Sequence, residues 1–306
     1  MELRESVVIC TRNRLDDLLL CLDSIATQSQ PPQELIIVDS SDIQLQKNTY
    51  FIKHFSAQNF PKSRLKYIHT SPGLTYQRNV GIKQASGKIL YFFDDDVVLE
   101  KDYLLQMDTA FQSHPEYAGG MGDITNINKD VSSKYQWFRR FFLLPREQAS
   151  GDFTWSGMPT HAFGTARFKL VEVVGGCCMA FRKHTLQTQQ FDESFKGYSY
   201  MEDADIARRI SYSQPLFYNP TARLQHNESP IARDRLAIRA EMFTYNYSYL
   251  FFKNFFWKNP FKIIPYVWSL LGLYIQSIIL WDRNQLKGYS KGLYRYYREK
   301  KDIIRR

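Results

Sequence analysis

Residues 88–100 read KILYFFDDDVVLE, an apolar run that ends in Asp94-Asp95-Asp96 and then resumes. Three adjacent carboxylates repel one another, and beside an apolar strand they also lose hydration. A loop that only caps the following helix needs one such group; three call for an offsetting cation. A hard divalent ion such as Mg2+ or Mn2+ answers that need, because it keeps one or two protein carboxylates and fills its sphere with water and phosphate oxygens. A second acidic group, Met201-Glu202-Asp203-Ala204-Asp205, lies about a hundred residues further on, after Phe191-Asp192-Glu193 and a turn expected at residues 196–198. Such a group either complements the dipole of a helix start or, beside a crevice, offers a carboxylate as general base. Only the fold can bring the two clusters together.

The elements that would position these groups alternate along the first half of the chain. Residues 6–10 (SVVIC), 34–39 (ELIIVD), 65–69 and 88–93 read as strands, and residues 15–26 and 75–85 have helical spacing. Strands alternating with helices predict an α/β fold with a mixed, mainly parallel sheet and helices on both faces. Ligands collect at the carboxyl ends of such strands, where residues 10–13, 39–41 and 94–96 all fall. The middle, roughly residues 127–170, reads as irregular, with WFRRFFLLP at 137–145. Residues 171–181 (VEVVGGCCMAF) return to strand character, 202–210 look helical, and 215–218 and 222–226 read as final strands.

Five motifs now stand in order: SVVICTRNR, ELIIVDSSD, GLTYQRNVGIKQASGKILYFFDDDVVLEKDYL, VVGGCCMAFRK and FDESFKGYSYMEDADIARRI. Together, over about residues 5–230, they resemble the family 2 inverting glycosyltransferases of the Rossmann-like GT-A fold. The resemblance implies donor-binding roles for Thr11, Asn13, Asp39, Arg78, Asn79, Asp94 and Asp95. It implies a metal site on Asp96 and Asp94, with His226 as a further ligand. Asp203 becomes the expected base with Glu202 beside it, and Gly175 and Gly176 line the acceptor side. Two departures stand out: Ser40-Ser41-Asp42 replaces a glycine-containing loop, and Cys177-Cys178 stands where relatives often have a polar residue. A buried Cys behaves as a small hydrophobe, so a catalytic thiol is not expected.

The 306 residues are 44% hydrophobic and 23% charged, a globular balance, with 22 Phe and 20 Tyr. The net charge of +9 is concentrated at the end: residues 258–306 hold eleven Lys and Arg against Asp282, Glu299 and Asp302. Four cysteines without a CxxC pair indicate neither zinc nor a disulfide framework and suit a reduced cytoplasm. The N-terminus runs straight into a strand-like stretch, with no signal peptide visible. Residues 263–281 carry no charge over 19 positions, flanked by Phe255-Phe256-Trp257-Lys258 and Trp281-Asp282-Arg283. That length permits a span, but export of the basic tail would oppose the positive-inside tendency. An interfacial segment on an anionic membrane surface is therefore the expectation, and nucleic acid is not, because the aromatics form a block apart from the charge.

The expected organisation is a catalytic domain over residues 1–254 and a helical, aromatic and basic membrane-associated segment over 255–306, at the cytoplasmic face. The expected reaction moves a sugar from a nucleotide-diphosphate sugar to a glycan or lipid-linked acceptor, with Mn2+ or Mg2+. A nucleotidyltransferase and a non-catalytic carbohydrate- or lipid-binding protein on the same fold are the alternatives.

Overall fold

A computed structural model describes residues 5–127, 133–145, 150–196, 199–227 and 236–304. The chain begins with β1 (Glu5–Thr11), α1 (Leu15–Ala26), β2 (Glu34–Asp39), α2 (Thr49–His54), β3 (Arg64–His69), α3 (Leu74–Gln84) and β4 (Ile89–Asp94). After a tight turn come β5 (Val97–Leu99), α4 (Tyr103–Ser113), β6 (Gly119–Ile124) and α5 (Ser133–Phe141). Then follow β7 (Lys169–Val171), β8 (Cys178–Arg182), α6 (Lys183–Thr188), α7 (Glu202–Ser211) and β9 (Leu216–His226). The helices α8 (Leu236–Phe251), α9 (Ile263–Ile279) and α10 (Arg283–Ile304) come last. Part of the turn expected at 196–198 lies outside the described residues.

Two compact units result, Met1–Ile127 with Phe163–Glu228, and Asn128–Ala162 with Ser229–Arg306. The second unit thus draws on the middle of the chain as well as its end, and it begins before residue 254.

The first unit is built on a nine-stranded mixed sheet in the order β3-β2-β1-β4-β8-β6-β9-β5, with β7 paired to β9. β1 pairs parallel with both β2 and β4, and β2 with β3. Every residue of β1 and β2 is buried, as an interior parallel strand covered on both faces requires; the edge strand β3 is more exposed. α1 buries Leu18, Cys21, Leu22 and Ile25, one face of a 3.6-residue period, and carries Asp16 and Asp17 in its first turn, where the helix dipole favours them. α3 is tied to the strand ends by Gln77, whose amide donates to the carbonyls of Thr11 (3.1 Å) and Val38 (2.8 Å).

The expected strand over 171–181 is instead two short strands, β7 and β8, because the Gly175-Gly176 loop breaks the run. The strands expected at 215–218 and 222–226 are one continuous strand, β9. The stretch expected to be irregular contains α5, where Trp137 and Phe141, four apart on one helix face, stack at 5.4 Å.

The second unit is helical. α10 packs on α8 through Gly288 and Gly292, where a Cβ would come within 2.4 Å of the Ala237 carbonyl and 2.2 Å of the Glu241 carbonyl. Glu241 accepts from Lys291 (2.8 Å) and Arg295 (2.6 Å) across the same contact. α9 turns Tyr266, Ser269, Gly272, Leu273 and Ser277 inward. Among the described residues, Pro260–Ile279 is the one helical stretch long and apolar enough to cross a membrane by length and composition, with a mean hydropathy of 1.3.

Candidate active site

The parallel register sets Thr11 beside Asp39 and Cys10 beside Asp94, so the carboxyl ends of β1, β2 and β4 are level with one another. After Asp94 the chain reverses into β5, which pairs antiparallel with β9 and puts Val97 opposite His226. This crossing carries His226 Nε2 to 3.1 Å from Asp96 Oδ1. Ligand atoms of Asp94, Asp96 and His226 lie within 4.8 Å of one another. Two hard carboxylates and an imidazole fit Mn2+ or Mg2+, with coordination positions left for phosphate oxygens. Without a cation, burial works to lower the His226 pKa, but the hydrogen bond to Asp96, with Cys177 and Asp94 close by, outweighs it and holds the imidazole up to about 10, so ligation of a metal would displace that proton.

The middle carboxylate does something else. Asp95 turns inward, accepting from Thr11 Oγ1 (2.7 Å) and Arg14 Nη1 (2.9 Å). Burial pushes its pKa up to about 7, and Asp96 and Asp94 add to that, against the opposing pull of Arg14 and Thr11. Arg14 also reaches Asp96 Oδ2 at 3.4 Å. Arg14 was absent from the residues singled out in the sequence, although it closes the TRNR motif that drew attention to Thr11 and Asn13.

The second acidic cluster joins the first through one buried side chain. Arg78 gives Nη1 to Glu202 Oε1 at 2.5 Å, and Nη2 to both Asp94 Oδ1 (3.2 Å) and the Gly176 carbonyl (2.9 Å). Only 2% of its surface is exposed. Burial and the neighbouring Asp203 charge push Glu202 up to about 8, with Arg78 pulling the other way. Asp203, in the first turn of α7, accepts from the Gly176 amide at Oδ2 (2.8 Å) and from the Ala204 amide at Oδ1 (2.7 Å). Gly176 faces both carboxylates: a Cβ there would sit 3.2 Å from Asp203 Oδ2 and 3.3 Å from Glu202 Oε1, so a larger residue would have to shift them. The turn into α7 holds Ser199 (φ 50°) and Met201 (φ 74°) in left-handed backbone, a conformation that costs side-chain-bearing residues on the order of 1–3 kcal/mol each.

The remaining expected residues divide. Asp39 is fully buried and accepts from the Ser41 and Leu45 amides and from the Tyr67 hydroxyl (2.6 Å). Asn13 is exposed at the strand ends, exchanging hydrogen bonds with Asp42 (2.9 and 3.0 Å). Asn79 is buried, its amide group committed to the Phe191 backbone and Glu193. Gly175 lies under Phe163, whose ring a Cβ would meet at 2.4 Å. All four cysteines are buried and unbridged, and burial pushes Cys10 up to about 12; none has the accessible thiol of a nucleophile.

Comparison with known proteins agrees with this architecture. The profile of glycosyl transferase family 2 matches residues 6–188, more than half of the chain, and the chain belongs to that family. Over 114 residues it is 32% identical to the uncharacterized glycosyltransferase YibD of Escherichia coli K12, covering 37% of this chain and 32% of that protein. The chain thus matches about a third of that relative's length. Its fold is GT-A. It is similar to the mannosyltransferase PcManGT of Pyrobaculum calidifontis, solved with GDP-Man and Mn2+ (TM-score 0.58, 15% identity, 96% of this chain and 85% of that one). It is also similar to a fragment of S. aureus TarS solved with UDP (TM-score 0.54, 17% identity, 89% of this chain and 72% of that one). At such identities the likeness is one of fold.

Proposed function

We propose that the chain catalyses inverting transfer of a sugar from a nucleotide-diphosphate sugar to a hydroxyl of a glycan or lipid-linked acceptor, at the cytoplasmic face of a membrane, in cell-envelope polysaccharide synthesis. The observation that carries this reading is the Arg78 bridge: one buried guanidinium touches a carboxylate of the candidate metal site and the neighbour of the candidate base. The solved neighbours that hold GDP-Man with Mn2+, and UDP, support a nucleotide-sugar donor.

The donor lies across the strand ends, with Thr11, Asn13 and Asp39 at its nucleotide end. Asp94, Asp96 and His226 would hold a divalent cation, Mn2+ or Mg2+, which would supply positive charge to the departing diphosphate. Asp203 takes the proton of the acceptor hydroxyl, which attacks the anomeric carbon from the face opposite the leaving group. Its two backbone hydrogen bonds fix the carboxylate's orientation while leaving lone pairs for the acceptor. Glu202, committed to Arg78, orients the site. Gly176, whose missing side chain faces Asp203 and Glu202, leaves room for the acceptor beside the base, and Gly175 supports that loop from beneath Phe163.

A thermal-shift panel of nucleotide sugars with Mn2+ tests the donor, since a ligand of the native state raises its apparent stability. Turnover with the stabilising donor must then release free nucleoside diphosphate; release of pyrophosphate would establish a nucleotidyltransferase instead.

A further inference from the structure

The second unit presents an apolar face that the proposed chemistry does not use. α9 turns Ile264, Val267 and Leu271 outward, and Ile264 is 70% exposed. Two other parts of the chain extend this face. Trp268 donates Nε1–H to the Phe141 carbonyl at 2.8 Å and packs edge-on against the Phe141 ring, which stacks on Trp137. Trp155 lines, with Leu143, Ile264, Trp268 and Leu271, an all-apolar groove of about 540 Å3. Trp137 and Trp155 are 66% and 65% exposed. An apolar surface of this extent on a folded chain marks a partner.

The chemistry around the face selects that partner. Lys134 and Arg140 stand exposed on α5 beside Trp137, Lys258 and Lys262 precede α9, and Arg283 and Lys287 follow it. No acidic residue occurs in α5 or α9. Large aromatics with cations at their margin match the boundary between acyl chains and anionic headgroups. A second copy of the chain is a poorer match, because two-fold pairing would set these cations against their own copies.

The inward face of α9 decides how the helix meets the bilayer. Ser269 Oγ and Tyr266 Oη hydrogen-bond Tyr247 and Ser248 of α8, each at 2.7 Å, and Gly272 sits against Phe142. Spanning would strip these partners away and leave polar groups in hydrocarbon. It would also carry α10 across, away from the α8 surface on which it packs.

We infer that α5, the turn bearing Trp155 and the outer face of α9 form one surface that enters a single leaflet of an anionic bilayer, with α9 in the membrane plane. This deepens the membrane association proposed above and rests on it. The test is flotation of the full chain with vesicles of phosphatidylcholine, alone or mixed equally with phosphatidylglycerol. The wild type should float with the mixed vesicles, less so at high salt. Trp137→Ser and Trp155→Ser should each weaken partitioning about tenfold, while Tyr50→Ser, an exposed aromatic of the first unit, should not. Trypsin added outside should cut α10 in vesicle-bound protein at the rate it does in the free chain, since its Lys and Arg stay on the added side. Failure of the wild type to float would overturn the membrane reading and this inference with it. Floating unaffected by either Trp variant, or an α10 protected from trypsin, would overturn the in-plane surface while leaving membrane association intact. A dimer dispersed by Trp155→Ser, with no flotation, would assign the face to a second copy.

Discussion

Arg78 stands between Glu202 and Asp94, giving one nitrogen to each at 2.5 and 3.2 Å from inside the core of the sheet unit. Removing one partner of a buried ion pair leaves an uncompensated charge and typically costs about 3–5 kcal/mol. Arg78→Met should therefore lower the melting temperature by roughly ten degrees. Arg78→Lys should recover only part of the loss, because a point charge cannot make the fork. A melt equal to the wild type in Arg78→Met would mean that the two acidic clusters are held together by other contacts.

Asp203→Asn is nearly isosteric; its single amide oxygen can keep one of the two backbone hydrogen bonds, and donor affinity should stay in place. It cannot accept the acceptor's proton, so kcat should fall by about 10²–10⁴-fold with little change in donor binding. Glu202→Gln should cost less. Steady-state kinetics beside donor titration separate the two effects, and near-normal turnover by Asp203→Asn would move the base to another carboxylate.

Asp96→Ala should abolish the rise in melting temperature that a nucleoside diphosphate gives with Mn2+, and chelation of the wild type should do the same. His226→Ala should weaken Mn2+ binding without unfolding the chain, since the histidine is the last residue of β9. If Mn2+ affinity is unchanged in His226→Ala, the imidazole is a partner of Asp96 alone.

Asp108 lies buried on α4, with hydrogen bonds from Tyr91 of β4 and from Gln30. Burial outweighs those bonds and pushes its pKa from 3.8 to about 6. Between these values the folded chain keeps a proton that the unfolded chain releases. The group's contribution to stability is thus greatest below the window and falls as pH rises through it, by on the order of 3 kcal/mol. Asp108→Asn should gain on the wild type as pH is raised from about 4 to about 7, read as the difference in melting temperature. A pH-independent difference would remove Asp108 as the cause.

Much of the first unit was legible because its strands declare themselves locally. Residues 34–39 and 15–26 were placed to the residue, since continuous apolar runs and a 3.6-residue period need no distant partner. β6 is not legible locally: its sequence GGMGDI has three glycines and makes a strand only where the Phe181, Phe217 and Tyr103 rings cover them. α5 was hidden by its aromatic content, which reads as irregular until its own spacing is followed. In the site, the acidic groups were visible as charges out of place, whereas the inward turn of Asp95 and the reach of Arg14 depend on packing between segments about eighty residues apart. Arg78 was singled out for the donor; its grip on Glu202 spans 124 positions, and no local pattern reports it.

The late arrival of β9 has a consequence for the chain while it is being made. Translation delivers about 5–20 residues per second, so Asp94 and Asp96 leave the ribosome on the order of ten seconds before His226 can reach them. Through most of that interval, until residues 202 and 203 emerge, the nascent chain has the acidic triplet but neither Glu202 for Arg78 nor an imidazole for Asp96. Under the proposed chemistry, a polypeptide that ends before Asp203 holds the acidic triplet but has no base with which to consume the donor. An activated sugar is thereby protected from every ribosome-bound copy that has not yet reached α7.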